Sequence, residues 1–146
     1  MLSMLRVLAL GLWVGAMTGF AFIFAPIAFH TIGPTASFAA TIASSVQAIT
    51  IFGYICAAVA IGVSIVLMRA MPRRSFAIIV LAAIMSALGF YESHAIVPLM
   101  QSTPLQTPAY DALHRRSSSI YSVVLIAGLA AFVLAAWHRD RRINSR

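Results

Sequence analysis

VLALGLWVGAMTGFAFIFAPIAF, residues 7–29, runs for 23 positions without a charged side chain. A helix needs about 20 apolar residues to cross a hydrocarbon core about 30 Å thick. The run is also too long for the roughly 7–15-residue apolar stretch of a cleaved signal peptide, and no convincing small-x-small site interrupts it. It reads as a retained first transmembrane helix. Three further stretches have the same character: residues 46–68, 76–97 and 120–137. Helix is the assignment in each case, because an open strand cannot satisfy its backbone polar groups in lipid and four segments do not close a barrel. The expected fold is therefore all-α, an integral membrane four-helix bundle forming a single domain over residues 1–146.

Composition points the same way. Apolar residues make up 62% of the chain and charged residues 9%, against about 25% charged in soluble domains. The surplus apolar surface has to face the lipid bilayer. The net charge of +7 rests on ten arginines and no lysine. Most lie at the edges of the apolar runs, where membrane-flanking charges belong, and no basic patch interleaved with polar or aromatic residues marks a nucleic-acid surface. Cys56 is the lone cysteine, which excludes an intramolecular disulfide and makes it a small apolar packing residue.

The breaks between the runs carry their own chemistry. Gly33-Pro34 ends the first helix, since glycine suits the position after a helix and proline cannot continue one. Thr35 then caps a second helix that begins before the membrane proper. Met71-Pro72-Arg73-Arg74 makes a tight link, and Thr107-Pro108 reads as an N-cap followed by proline at the first helical position, which extends helix four outward to about 108. Arg6, Arg69, Arg73, Arg74, Arg139, Arg141, Arg142 and Arg146 flank one side, against Arg115 and Arg116 on the other. By the positive-inside rule the first group is cytoplasmic, so both termini are expected inside. A lysine-free chain of this kind suits a bacterial inner membrane.

Gly11, Gly15 and Gly19 recur every four residues and share one face of helix one, a surface that another helix can approach closely. Packing within the bundle is the first expectation for this stripe; a homo-oligomer or another subunit of a membrane complex is the second. Ala127, Ala131 and Ala135 give helix four a similar smooth face.

Four ionisable residues fall at the expected outer side: His30, Glu92, His94 and His114. With a rise of about 1.5 Å per residue, Glu92 and His94 lie about 27 and 30 Å above Arg74, and His30 about 36 Å above Arg6. They form one layer near the outer interface, with Gln47, Tyr91, Tyr110 and Asp111 as neighbours. Three imidazoles and a carboxylate are an adequate ligand set for zinc or copper, and two of the imidazoles for haem. The plainer reading is that amphipathic rings sit at the interface for solvation alone. Glu92 and His94 are two apart, about 200° around a helix, and share a face only if the helix unwinds. Pro98 gives it reason to, since it cannot donate to the His94 carbonyl, and Pro26 likewise frees the Phe22 carbonyl.

Trp13-Val14-Gly15 with Gly19-Phe20, Ala25-Pro26-Ile27-Ala28-Phe29, Ile96-Val97-Pro98-Leu99-Met100, and Leu113-His114-Arg115-Arg116-Ser117-Ser118 leading to Tyr121 follow one another in an order that resembles the transmembrane protein 205-like family. That resemblance spans nearly the whole chain and implies a four-helix membrane protein whose shared domain is of unknown function. The tryptophan-glycine start of helix one is more weakly similar to the copper-resistance protein D family, without its dense methionine and histidine clusters.

With no zinc-protease motif, nucleophile elbow or phosphate loop, the expected role is non-enzymatic: helix association, as a homo-oligomer or an accessory subunit of a membrane complex. The alternatives are a metal- or haem-binding protein using His30, Glu92, His94 and His114, and a transporter of protons or small solutes. Transport has little to work with, because Thr18, Thr50, Ser64, Ser86 and Ser122 are the deep polar residues and no charge falls at the midplane.

Overall fold

The computed structural model describes residues 1–137. The arginines at 139, 141, 142 and 146, and Asp140, lie outside the described residues. Four helices are long and apolar enough to cross a membrane: α1 (Leu2–Ile32), α2 (Ala36–Leu67), α3 (Pro72–Ser102) and α4 (Pro108–Ala136). Each exceeds the expected apolar run, because the helical backbone continues through polar residues beyond the hydrocarbon. At about 1.5 Å per residue their 29–32 residues span about 44–48 Å, so the ends stand clear of the core.

The caps are side-chain caps where threonine is available. Thr35 Oγ1 accepts from the Phe38 N–H at 3.2 Å and Thr107 Oγ1 from the Tyr110 N–H at 3.2 Å, each satisfying a donor that a helix start leaves free. Pro72 and Pro108 occupy the first helical position of α3 and α4, where the missing N–H costs nothing. Gly33 turns the chain between α1 and α2 at φ +74°, a left-handed conformation that side chains resist.

The chain runs up and down. Each helix packs on its neighbours in sequence and α4 closes onto α1, while the diagonal pairs α1/α3 and α2/α4 make no close backbone contact among the described residues. One end gathers the start of α1, the α2–α3 link and the end of α4; it carries Arg6, Arg69, Arg73 and Arg74 and is called the arginine end below. The other end carries His30, His94 and His114.

Two core layers fill the bundle. One centres on Trp13, Met17, Cys56 and Met85, the other on Leu10, Ala60, Ile78 and Ala131. Small residues dominate the contacts because lipid offers no hydrophobic drive for helices to associate, and close van der Waals packing has to hold them. At Gly53 a Cβ would lie 2.5 Å from Trp13 Cε2, and at Gly128 it would lie 2.8 Å from Met85 Cε and 2.9 Å from Val14 Cγ2. Large apolar side chains instead point outward: Phe22, Ile55, Val66, Phe76 and Ile126 each leave more than half of their surface exposed. A soluble monomer does not tolerate apolar exposure on this scale; a membrane protein requires it.

Cross-helix hydrogen bonds are few among the described residues. Tyr121 in α4 donates its hydroxyl to the Met17 carbonyl of α1 at 2.8 Å. Tyr121→Phe removes the donor and leaves the ring, so unfolding free energy should fall by about 1 kcal/mol, read by denaturation in detergent. The hydroxyls of Thr18, Thr50, Ser86 and Ser122 each donate to the carbonyl four residues back in their own helix. They satisfy themselves within their own helices.

Candidate functional site

The helix does unwind at both prolines. In α3 the Val97 N–H bonds the Glu92 carbonyl, five residues back, and residues Glu92–Ile96 form one π-helical turn. In α1 the Ala25 N–H bonds the Phe20 carbonyl in the same way over Phe20–Phe24. A proline ring collides with the carbonyl four residues before it and offers no donor, and the widened turn accommodates both defects. Such turns recur at functional sites.

The α3 turn does not bring Glu92 and His94 to one face. Glu92 is 5% exposed and points into the bundle, whereas His94 is exposed, stacked on Phe90 with ring centroids 4.1 Å apart and with Nδ1 3.0 Å from the Phe90 carbonyl. His30 is exposed beside the edge of Phe29, and His114 is exposed and stacked on Tyr110. Each imidazole is thus occupied by an aromatic neighbour on its own helix. Among the described residues no three of His, Cys, Asp and Glu stand close enough to hold a metal ion, so the ligand set expected from His30, Glu92, His94 and His114 does not converge. Depth along the helix axis places the four in one layer, and azimuth separates them.

Glu92 is what remains of that layer as a site. Its Oε1 accepts a hydrogen bond from the Ser117 hydroxyl of α4, and its Oε2 is buried without a partner. A buried carboxyl with an idle oxygen is costly in a low-dielectric setting. It borders a cavity of about 370 Å³ between the start of α2, the end of α3 and the start of α4. Ala36, Ala39, Ala40 and Ala43 of α2 and Val97 and Met100 of α3 line it, and Phe38 and Tyr110 supply aromatic rings. Glu92 also borders a smaller pocket of about 30 Å³ deeper in the bundle, shared with Tyr54 and Tyr121, with room for a water. Cavities of about 300–1,000 Å³ lined by apolar groups with a few polar anchors are the usual form of small-molecule sites.

Two members of this site were not legible as such in the sequence. Ser117 reads as one of three serines satisfying the start of a helix at the interface. The alanines at 36–43 lie before the apolar run of helix two, and only their spacing of three and four after the Thr35 cap signals a smooth face.

The glycine stripe is also redirected. A Cβ at Gly15 or Gly19 would meet nothing within 4 Å, and one at Gly11 would meet the Phe132 ring at 3.0 Å. Gly11, Gly15 and Gly19 therefore line an outward groove between α1 and α4, closed at one end by Phe132, and the close approaches inside the bundle use Gly53 and Gly128 instead. Ala131 and Ala135 of the second small-residue face are buried in the core.

Four apolar spans, an all-helical bundle and a half-enclosed carboxyl define a membrane protein with a lateral site near one end. The chain belongs to the DUF4149 family, described as a domain of unknown function, whose profile matches residues 8–109. That match takes in α1 from residue 8, α2, α3 and Glu92, and leaves out Arg6 and Ser117. No curated protein and no solved structure matches the chain, and the two finer family resemblances drawn from the motifs are not confirmed by these comparisons.

Proposed function

We propose that this protein is a non-enzymatic membrane protein that binds a lipophilic amine in the cavity at Glu92. The observation that carries the reading is the buried Oε2 without a partner at the wall of an apolar cavity. An ammonium supplies both the hydrogen-bond donor and the countercharge the carboxyl lacks, and the Phe38 and Tyr110 rings favour a cation nearby. The alanine wall takes an apolar chain. At about 370 Å³ the cavity suits a small amphiphile rather than a whole phospholipid. Octylamine should raise the unfolding temperature of the detergent-solubilised protein saturably, octanol should do so less, and octanoate should not. Equal stabilisation by all three would remove the reading.

A second reading has its own observation. The outward groove of about 450 Å³ along Gly11, Gly15 and Gly19 is shaped for a helix of a second copy, as small-residue faces in membranes are. Gly15→Leu fills that groove without touching the bundle's interior. Crosslinking and sedimentation should then show an oligomer reduced to monomer with unfolding unchanged; a wild-type protein that is monomeric throughout ends the idea.

A further inference from the structure

At the arginine end lies a second buried charge, which sequence reading treats as an ordinary flanking arginine. Arg6 is fully buried and points into the bundle. Its Nη1 donates to Ser64 Oγ of α2 at 3.5 Å, the outer limit of such a bond, and its Nε is buried with no partner. Arg74, near the start of α3, stands close enough to act on Arg6 electrostatically, and its Nη1 is also buried without a partner. Ser75, fully buried beside it, has a hydroxyl oxygen with none. A buried guanidinium and a half-buried one thus lie within about one turn of the ends of α1, α2 and α3.

No acid of the described residues balances them. Glu92 lies at the far end of α3, and Asp111 in the first turn of α4 at the same far end. The start of α3 adds positive character of its own: Met71 offers no side-chain cap, so first-turn N–H groups remain for a ligand, at the end of the helix dipole that attracts anions. A buried cation without a counter-ion is strongly unfavourable, and these donors lie within about one turn of the same end of the bundle, where one acceptor-rich anion could satisfy them.

We infer that Arg6, Arg74, Ser64 and Ser75 form a binding site for a phosphate-type oxyanion. The guanidinium fork matches phosphate geometry with paired N–H donors, and the two serine hydroxyls supply further donors. The depth of the layer, about 3–6 Å from the helix ends, suits either a lipid headgroup phosphate reaching between helices or a free phosphate entering from the aqueous side.

The test separates those two sources. Lipid-depleted protein in detergent is titrated with inorganic phosphate and, separately, with dihexanoyl phosphatidylglycerol, while unfolding is followed; dihexanoylglycerol and chloride at equal ionic strength serve as controls. Saturable stabilisation by phosphatidylglycerol alone assigns a lipid headgroup, and stabilisation by inorganic phosphate assigns the free anion. In either case Arg6→Gln and Arg74→Gln should weaken binding about tenfold or more, and Arg73→Gln, whose side chain is exposed, should not. Should Arg6→Gln fail to fold, Arg74→Gln against Arg73→Gln carries the comparison. Neither ligand exceeding its control, or equal weakening by Arg73→Gln and Arg74→Gln, overturns the site.

Discussion

Glu92→Gln should abolish stabilisation by octylamine while leaving the bundle folded. The amide keeps the side-chain volume and an oxygen for the Ser117 hydroxyl to donate to, so the wall of the cavity is preserved. It removes the charge, and a hydrogen bond to a charged group is worth about 1.5–3 kcal/mol, which corresponds to a loss of affinity of about 10- to 150-fold. Glu92→Leu should lose binding equally and unfold no more readily than wild type, because replacing a buried ionisable group by an apolar one of similar volume is often neutral or stabilising. Ser117→Ala should behave differently. It strips the remaining partner from Glu92 Oε1, and a buried acceptor left without a donor costs about 1–3 kcal/mol. Thermal unfolding of the three variants with and without octylamine separates these effects. If Glu92→Gln keeps the wild-type affinity, the carboxyl is not the anchor.

Gly53→Ala should be the most damaging single methyl in the bundle. The new Cβ would stand 2.5 Å from Trp13 Cε2, and the indole is 4% exposed and packed against Met17 and Cys56. Overpacking of this kind costs about 1–3 kcal/mol, at the upper end when the obstacle is a rigid ring. Gly128→Ala should cost less, since one of the two atoms it meets is the Met85 methyl, the end of a flexible chain. Gly15→Ala, with nothing within 4 Å, should change unfolding by less than about 0.5 kcal/mol. Denaturant unfolding of the three proteins should rank them in that order. Adding Trp13→Phe to Gly53→Ala should recover part of the loss, because the smaller ring vacates the overlap.

The ranking among those glycines shows what one dimension can and cannot disclose. A four-residue period identifies Gly11, Gly15 and Gly19 as one face of a helix, and it carries no information about which face turns inward. In a soluble bundle hydrophobicity would decide; in a membrane both faces are apolar, and the decision passes to Trp13, which needs the room that Gly53 provides. The layer of ionisable residues behaves likewise. Counting residues along each helix sets depth, and Glu92, His30, His94 and His114 do lie toward one end. Azimuth is another matter, because the π turn before Pro98 rotates everything beyond it by an amount the sequence does not specify. Pro98 announced the defect, yet Glu92 faces in and His94 faces out, as two residues that far apart do on an ordinary helix.

Arg6 shows the same limit from the other end. Five residues into α1, it is indistinguishable by position from a charge that snorkels to the interface. Its hydrogen-bond partner Ser64 stands 58 positions away in sequence, a meeting that no local pattern encodes. Four spans, their caps and their breaks were legible because each follows from local chemistry. The two charged sites were legible only as residue types, since both are made by the meeting of three helices.

The most direct test of the account is to locate the bound amine. A diazirine-bearing alkylamine photolysed on the purified protein should label residues 36–46 and 97–100, with labelling competed by octylamine and lost in Glu92→Gln. Label spread over the lipid-facing side chains, such as Phe22 and Ile126, or undiminished in Glu92→Gln, would contradict it.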